Sequence, residues 1–171
     1  MSYVEKISIG TAQFGLDYGI NNFRGKIPEI ECFEILEKMI NLGITSIDTA
    51  PSYGVSEKVL GKFRDIEKFR ITTKYSGIDQ SPYESLQRSL DALNVASVDT
   101  FMLHSFKDFL SNRKIVEDFQ NLKDQNLCNK IGFSLYSPKE LNLIISEKVP
   151  VDVVQIPYSI ADQRFHKSMS E

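Results

Sequence analysis

The sequence predicts an α/β fold in which the strands of a parallel sheet alternate with helices along the chain. Three observations support this prediction: six short apolar runs, segments of helical period between them, and two strong helix-start signatures. Strands joined by helical crossovers pair in parallel, with right-handed connections. We therefore expect about six strand–helix units, each about 25 to 30 residues long.

The predicted strands are the short apolar runs that polar or turn residues interrupt. In chain order they are Ile7–Gly10, Ile44–Asp48, Arg70–Lys74, Val98–His104, Lys130–Ser134 and Val151–Gln155. No linker or low-complexity segment separates them, so residues 1–171 are predicted to belong to one domain.

The predicted helices are segments in which apolar side chains recur every three or four residues. Two of them have the same start, Ser-Pro-x-Glu, at residues 81–84 and 137–140. The Ser offers a cap hydroxyl, the Pro suits the first helical position, and the Glu can bond back to the cap amide. The helical segments are 29–42, 56–63, 82–93, 112–126 and the segment that begins at Ser137.

Composition excludes several classes of protein. Hydrophobic residues are 42% of the chain and charged residues 25%, which is typical of a globular protein. A net charge of −3 argues against nucleic acid as a partner. No apolar run has the length of a membrane span, and the first ten residues lack a signal-peptide pattern. Cys32 and Cys128 are expected to be free thiols, and we expect a cytoplasmic protein.

Polar side chains mark the end of every predicted strand. Because the carboxyl ends of parallel strands share one edge, these side chains should lie together, and in α/β barrels that edge carries the active site. Singly, each has an ordinary alternative: a turn or cap residue, a solvated lysine, or a core histidine. The set consists of Thr11 and Gln13, Asp48, Lys74, His104, Ser134 and Gln155.

Four titratable residues of this edge make chemical sense together. Tyr53 lies five residues after Asp48, and a phenol has an ordinary pKa of about 10. The Lys74 ammonium would lower that pKa, while Asp48 would pair with Lys74 and hold it in place. His104 could orient or polarise a carbonyl oxygen. The set suits reduction of a carbonyl group, with a proton delivered at oxygen and a hydride supplied by a cofactor.

The sequence resembles the aldo-keto reductase family in six segments: IGTAQFG, SIDTAPSYGVSEKVLGKF, ITTKY, FMLHS, KIGFSLYS and VVQIPYS. The resemblance implies a (β/α)₈ TIM barrel that uses NADPH, or NADH, and no metal. It implies reduction of small aldehydes and ketones to alcohols. The catalytic tetrad of the family falls on Asp48, Tyr53, Lys74 and His104.

The same resemblance implies a set of cofactor contacts. Thr11 and Ala12 would lie near the nicotinamide ribose, Ser134 and Gln155 would bind the carboxamide, and Asp48 would lie beside the cofactor as well. Many members have Asn after the strand-five Ser, where this chain has Leu135. The glycine-rich dinucleotide fingerprint GxGxxG is absent, as in the family.

The length differs from that of a complete barrel. Eight strands need about 250 residues, whereas this chain offers six predicted strands in 171 residues. We therefore expect a partial barrel domain over 1–171 that lacks the last two strands and is inactive, or nearly so, alone. Three accounts stay open: a fragment, a truncated gene product, or half of a two-chain barrel.

The open edges of such a sheet favour self-association or pairing with a completing chain. The alternative function is a noncatalytic binding or interaction module of the same fold.

Overall fold

Six parallel strands form one sheet in the computed structural model, which describes residues 3–77 and 81–169. Their order in the sheet is their order in the chain, and every neighbouring pair is parallel. The strands are β1 (Ser8–Gly10), β2 (Ser46–Asp48), β3 (Arg70–Tyr75), β4 (Val98–Leu103), β5 (Cys128–Ser134) and β6 (Val153–Gln155). The predicted α/β architecture is confirmed, although β1, β2 and β6 are shorter than the apolar runs suggested.

Seven α-helices connect and follow the strands in the described residues. They are α1 (Ala12–Gly15), α2 (Glu29–Leu42), α3 (Ser56–Gly61), α4 (Pro82–Leu93), α5 (Phe106–Ser111), α6 (Ile115–Asp124) and α7 (Pro138–Ser146), with 3₁₀ turns at Tyr3–Lys6, Ile66–Lys68 and Lys167–Met169. The five predicted helices are all present. Helices α1 and α5 were not predicted, because four and six residues are too few to show a helical period.

Both predicted helix starts form as capping boxes. At α4 the Ser81 hydroxyl accepts a hydrogen bond from the Glu84 amide at 3.2 Å, and the Glu84 carboxylate accepts one from the Ser81 amide at 3.3 Å. At α7 the Ser137 hydroxyl accepts from the Lys139 amide at 3.2 Å, and Glu140 accepts from the Ser137 amide at 3.0 Å. These bonds satisfy amides that a helix leaves without an internal partner.

The sheet is curled, and one hydrogen bond shows how strongly. The Gln155 amide nitrogen on β6 donates to Asp48 Oδ2 on β2 at 3.0 Å. In a flat sheet those strands would lie about 19 Å apart, which is four strand spacings. The six strands therefore form a half-barrel, the incomplete (β/α)₈ arrangement that was predicted.

The core lies between the curled sheet and the helices outside it. Helix α4 buries the predicted stripe of Leu86, Leu90 and Leu93, and Phe119 of α6 stacks on Phe101 of β4 with ring centroids 4.7 Å apart. Of the helices in the described ranges, none is long and apolar enough to cross a membrane.

Candidate active site

The carboxyl ends of the strands meet at one rim. The register pairs Gly10 with Asp48 and Ser134 with Gln155, so these strand ends are level with their neighbours. Lys74 lies near the end of β3, and His104 follows β4 directly. Tyr53 stands on the loop between β2 and α3, and the structure brings its hydroxyl to the same rim.

Lys74 is the centre of the site. Its side chain is only 2% exposed, and its ammonium donates to Asp48 Oδ1 at 2.7 Å and to the Thr49 carbonyl at 3.0 Å. The Tyr53 hydroxyl lies 3.5 Å from the same nitrogen. Burial lowers the pKa of Lys74, and the Asp48 carboxylate opposes that shift. Asp48 thus fixes a buried cation beside a phenol.

The net pKa of Tyr53 is raised in this structure, whereas we expected the Lys74 ammonium to lower it. Burial raises the pKa of Tyr53 to about 12, and the negative charge of Asp48 adds to the rise. The physical reason is that removal from water disfavours the phenolate, while the ammonium is already engaged by Asp48 at 2.7 Å. At neutral pH the phenol therefore keeps its proton.

His104 is a neutral imidazole beside the phenol. Burial lowers its pKa, and the Lys74 charge lowers it further, whereas Asp48 and Asp108 oppose the shift. The rings of His104 and Tyr53 are perpendicular, with centroids 6.2 Å apart. The Nδ1 atom of His104 lies 3.3 Å from the Ser52 hydroxyl. A neutral ring in this position can donate one hydrogen bond to a substrate oxygen.

Two glycines fit the loop that carries Tyr53 against helix α1. A Cβ atom at Gly15 would overlap the carbonyl oxygen of Tyr53. Gly54 has a φ of 62°, in the left-handed region, and a Cβ there would lie 2.6 Å from the Gly15 carbonyl oxygen. The backbone of Tyr53 is therefore set by a close approach that larger residues would block.

Buried hydroxyls join the end of β1 to the same loop. Thr11 is fully buried and donates to the Asp48 carbonyl at 3.0 Å. The Ser56 hydroxyl lies 2.8 Å from Thr11 Oγ1 and 3.2 Å from that of Thr49. Ala12 follows as the first residue of α1. Thr11 thus acts on the backbone of β2 in this structure, and its predicted contact to a ribose stays a prediction.

The two residues predicted to bind a carboxamide lie at the ends of β5 and β6. Ser134 is buried at the rim, and its neighbour Leu135 is fully buried. Gln155 donates to Asp48 Oδ2, so the two oxygens of Asp48 are shared between Lys74 and Gln155. Of these two residues, Gln155 contacts the Asp48 carboxylate, and Ser134 pairs with Gln155 in the strand register.

Glu57 is a buried carboxylate that the sequence analysis missed. It accepts hydrogen bonds from Thr73 of β3 at 2.6 Å and from Ser89 of α4 at 3.3 Å. Burial raises the pKa of Glu57, and the two hydroxyl donors and Lys74 oppose the rise. The available signal was its spacing: it lies three residues before the buried Leu60 on a short helix. Glu57 links the helix after Tyr53 to the strand of Lys74.

The two cysteines lie outside this site. Cys32 and Cys128 are free, as predicted, and both are buried; burial raises the pKa of each thiol to about 11. Such thiols are mostly protonated and inert. Within residues 3–77 and 81–169, no group of three or more His, Cys, Asp or Glu side chains could hold a metal ion.

Residues 6–171 match the model of the Aldo/keto reductase family. Among curated proteins, the chain is 23% identical over 182 residues to the aldo-keto reductase YhdN of Bacillus subtilis (strain 168), covering 96% of this chain and 53% of that protein. It is 28% identical over 136 residues to the methylglyoxal reductase DkgA of Yersinia pestis, covering 75% of this chain and 48% of that protein. The chain spans about half the length of these curated relatives.

Solved structures give the same result for the fold. An aldo-keto reductase structure from Pseudomonas aeruginosa superimposes with a TM-score of 0.80 at 26% identity, over 95% of this chain and 67% of that one. The holo form of the aldo-keto reductase AKR11C1 from Bacillus halodurans superimposes with a TM-score of 0.77 at 20% identity, over 96% of this chain and 57% of that one.

Proposed function

Because the chain belongs to the aldo/keto reductase family, we propose that it carries the proton-transfer centre of a nicotinamide-dependent carbonyl reductase. The observation that supports the proposal is the buried Lys74 ammonium, which contacts the Asp48 carboxylate and the Tyr53 hydroxyl beside a neutral His104. The substrates would be small aldehydes or ketones. A noncatalytic protein has no need to bury a lysine beside a phenol at this rim.

The residues at the rim fit the nicotinamide end of NADPH or NADH. A carboxamide needs a hydrogen-bond donor for its oxygen and an acceptor for its nitrogen. The Ser134 hydroxyl, the Gln155 amide and the Asp48 carboxylate offer both kinds of group close together. When bound, the cofactor would supply hydride to the carbonyl carbon.

The side chains would divide the remaining work. Tyr53 would deliver its proton to the carbonyl oxygen, and the positive charge of Lys74 would stabilise the phenolate left behind. His104 would donate a hydrogen bond to the same oxygen and thereby orient the substrate. Asp48 would hold Lys74 within reach of the phenol.

The proposal is tested with NADPH and a simple aldehyde such as methylglyoxal. The assay uses this chain alone and a chimera in which two further strand–helix units from a related barrel follow residue 171. We expect little turnover from the chain alone and clear turnover from the chimera. Tyr53→Phe in the chimera should reduce kcat by about 10²- to 10⁴-fold, because it removes the proton donor and keeps the ring.

Cofactor affinity is the control for that variant. NADPH binding, followed by nicotinamide fluorescence, should survive Tyr53→Phe, since the phenol acts on the substrate oxygen. Lys74→Met should also lower kcat, with an altered pH profile. A chimera that binds NADPH and turns over equally well with Phe at position 53 would overturn the proposal.

A second candidate is an interaction module whose sheet is completed by another chain. In the part of the chain that the structure describes, β1 pairs only with β2, and β6 pairs only with β5. Each edge strand therefore leaves backbone groups on one side available for pairing. Native mass measurement of the purified chain, alone and after co-expression with neighbouring genes, tests this candidate. A stable monomer that captures no chain would count against it.

A further inference from the structure

Ser52 is a polar residue of the Tyr53 loop whose side chain touches the candidate catalytic histidine. Its hydroxyl oxygen lies 3.3 Å from Nδ1 of His104, across 52 residues of sequence. Among the described residues, no hydrogen bond reaches Nε2 of that ring. The two ring nitrogens therefore have different tasks: one faces Ser52, and the other is left for a ligand.

The direction of the Ser52 hydrogen bond decides what His104 can do. If the hydroxyl donates to Nδ1, the proton of the neutral ring resides on Nε2, which can then donate to a carbonyl oxygen. If Nδ1–H donates to the hydroxyl, Nε2 is only an acceptor and repels that oxygen. A hydroxyl can take either part, so the ring and its surroundings choose between the two states.

The surroundings of His104 keep its ring neutral, so the ring has two tautomers between which the Ser52 hydrogen bond can select. Burial and the Lys74 cation keep the imidazole neutral, whereas Asp48 and Asp108 act against them. A doubly protonated ring would donate from both nitrogens and would have no tautomer to select. Because the ring is neutral near pH 7, it carries one N–H, and a hydroxyl that donates to Nδ1 places that proton on Nε2.

We propose that Ser52 is a positioning residue that donates its hydroxyl proton to Nδ1 of His104 and so holds the ring as the Nε2–H tautomer. The catalytic consequence, donation from Nε2 to a substrate oxygen, rests on the proposed carbonyl reduction. The tautomer itself does not, because it is a property of the chain without substrate or cofactor.

The tautomer is measured on the full chain, labelled with ¹⁵N, from the two imidazole nitrogen shifts at about pH 8, above the ordinary histidine pKa. His104 and His166 are the only histidines, so His166→Gln assigns the signals. We expect the parent to show a protonated Nε2 and an unprotonated Nδ1 at His104. Ser52→Ala should lower the ratio of Nε2–H to Nδ1–H about fivefold, the effect of one net hydrogen bond.

Matched variants separate this role from a general change of the loop. Ser52→Thr keeps a hydroxyl and should restore the parent ratio. Tyr158→Phe removes the hydroxyl at the equivalent distance, 3.3 Å, from Nδ1 of His166, and it should move only the His166 signals. The Tyr53 pKa should be unchanged in Ser52→Ala if the loop keeps its place.

Two results would overturn the inference: a parent protein with Nδ1–H at His104, or a ratio that Ser52→Ala leaves unaltered. If the tautomer responds as expected but the chimera reduces no aldehyde, the carbonyl-reductase proposal fails and the role of Ser52 stands.

Discussion

At the scale of single residues, three groups of the site lie around the buried Lys74 ammonium. The Asp48 carboxylate and the Thr49 carbonyl accept hydrogen bonds from Lys74 Nζ at 2.7 and 3.0 Å. The Tyr53 hydroxyl lies farther from the same nitrogen, at 3.5 Å. The carboxylate that stabilises the cation also raises the pKa of the phenol. The ion pair thus restrains the acidity of Tyr53 while it keeps Lys74 in the site.

We predict that Asp48→Asn lowers the pKa of Tyr53 from its value of about 12. The variant removes a negative charge near the phenol, and this change favours phenolate. The measurement is a phenolate absorbance titration, in which the matching Tyr53→Phe protein is subtracted to remove the other tyrosines. Asp152→Asn is the control, because Asp152 pairs with Lys123 instead. An unchanged or higher pKa in Asp48→Asn would contradict the prediction.

At the scale of elements, the Glu57 carboxylate holds α3, α4 and β3 together. Its partners Thr73 and Ser89 come from two of these elements, and Gly61 of α3 allows the Ala92 carbonyl of α4 to approach closely. The helix that follows Tyr53 is therefore tied to the strand that carries Lys74. A change in the charge of Glu57 should affect the packing of all three elements.

We predict that the free energy of unfolding of Glu57→Gln, compared with that of the parent at the same pH, increases as the pH rises. Burial raises the pKa of Glu57 above its ordinary value of 4.5, so its contribution to stability is fully present below about pH 4.5. That contribution is lost as the pH rises through the raised pKa, because the folded state must then bury a charge. Gln has no charge to bury and keeps hydrogen-bonding groups for Thr73 and Ser89.

Urea unfolding of parent and variant at several pH values between about 4 and 8 measures this effect. The free energy of unfolding of Glu57→Gln, relative to that of the parent, should increase with pH. Glu67→Gln, at an exposed position of the 3₁₀ turn Ile66–Lys68, is the matched control for the loss of one carboxylate. A relative stability that falls with rising pH would disprove the proposed cost of the buried charge.

The elements that were predictable are those whose causes are local. The Ser-Pro-x-Glu starts at Ser81 and Ser137 and the leucine stripe of α4 act within a few residues, so they are visible in the sequence. The raised pKa of Tyr53 was not predictable, because its main cause is burial, and residues that surround the phenol include ones distant in sequence, such as His104 with its ring 6.2 Å away. Ser52 and Glu57 were missed for the same reason: their partners lie 52, 16 and 32 residues away.

At the scale of the whole molecule, the strand order equals the chain order, so each strand pairs with the strand nearest in sequence. The Lys74–Asp48 pair joins adjacent strands across 26 residues, whereas the Gln155–Asp48 hydrogen bond reaches across the half-barrel and spans 107 residues. Bringing distant segments together costs more chain entropy than joining close ones. The Gln155–Asp48 hydrogen bond therefore needs much more of the chain to be folded than the Lys74–Asp48 pair does.

We predict that, during refolding from urea, β2–β4 acquire protection from hydrogen exchange before β6 does. In the described residues β6 is a three-residue edge strand that pairs only with β5, whereas β2, β3 and β4 each pair on both sides, so their amides should be protected earlier. Pulse-labelling of backbone amides at increasing refolding times, read by mass spectrometry of peptides, measures the order. Gln155→Ala should leave the early phase unchanged, since its bond to Asp48 needs β6 in place. Protection of β6 that precedes or coincides with that of β2–β4 would contradict this order.

The ordering has a consequence for a chain that emerges from the ribosome amino end first. Asp48, Tyr53, Lys74 and His104 all lie in the first 104 residues, so the charged centre can assemble while later units are still being synthesised. We expect the nascent chain to form the Lys74–Asp48 pair early and to keep it solvent-exposed until β5 and β6 join the sheet. Each later unit would then change the dielectric around a centre already built, and so adjust the acidity of Tyr53 step by step.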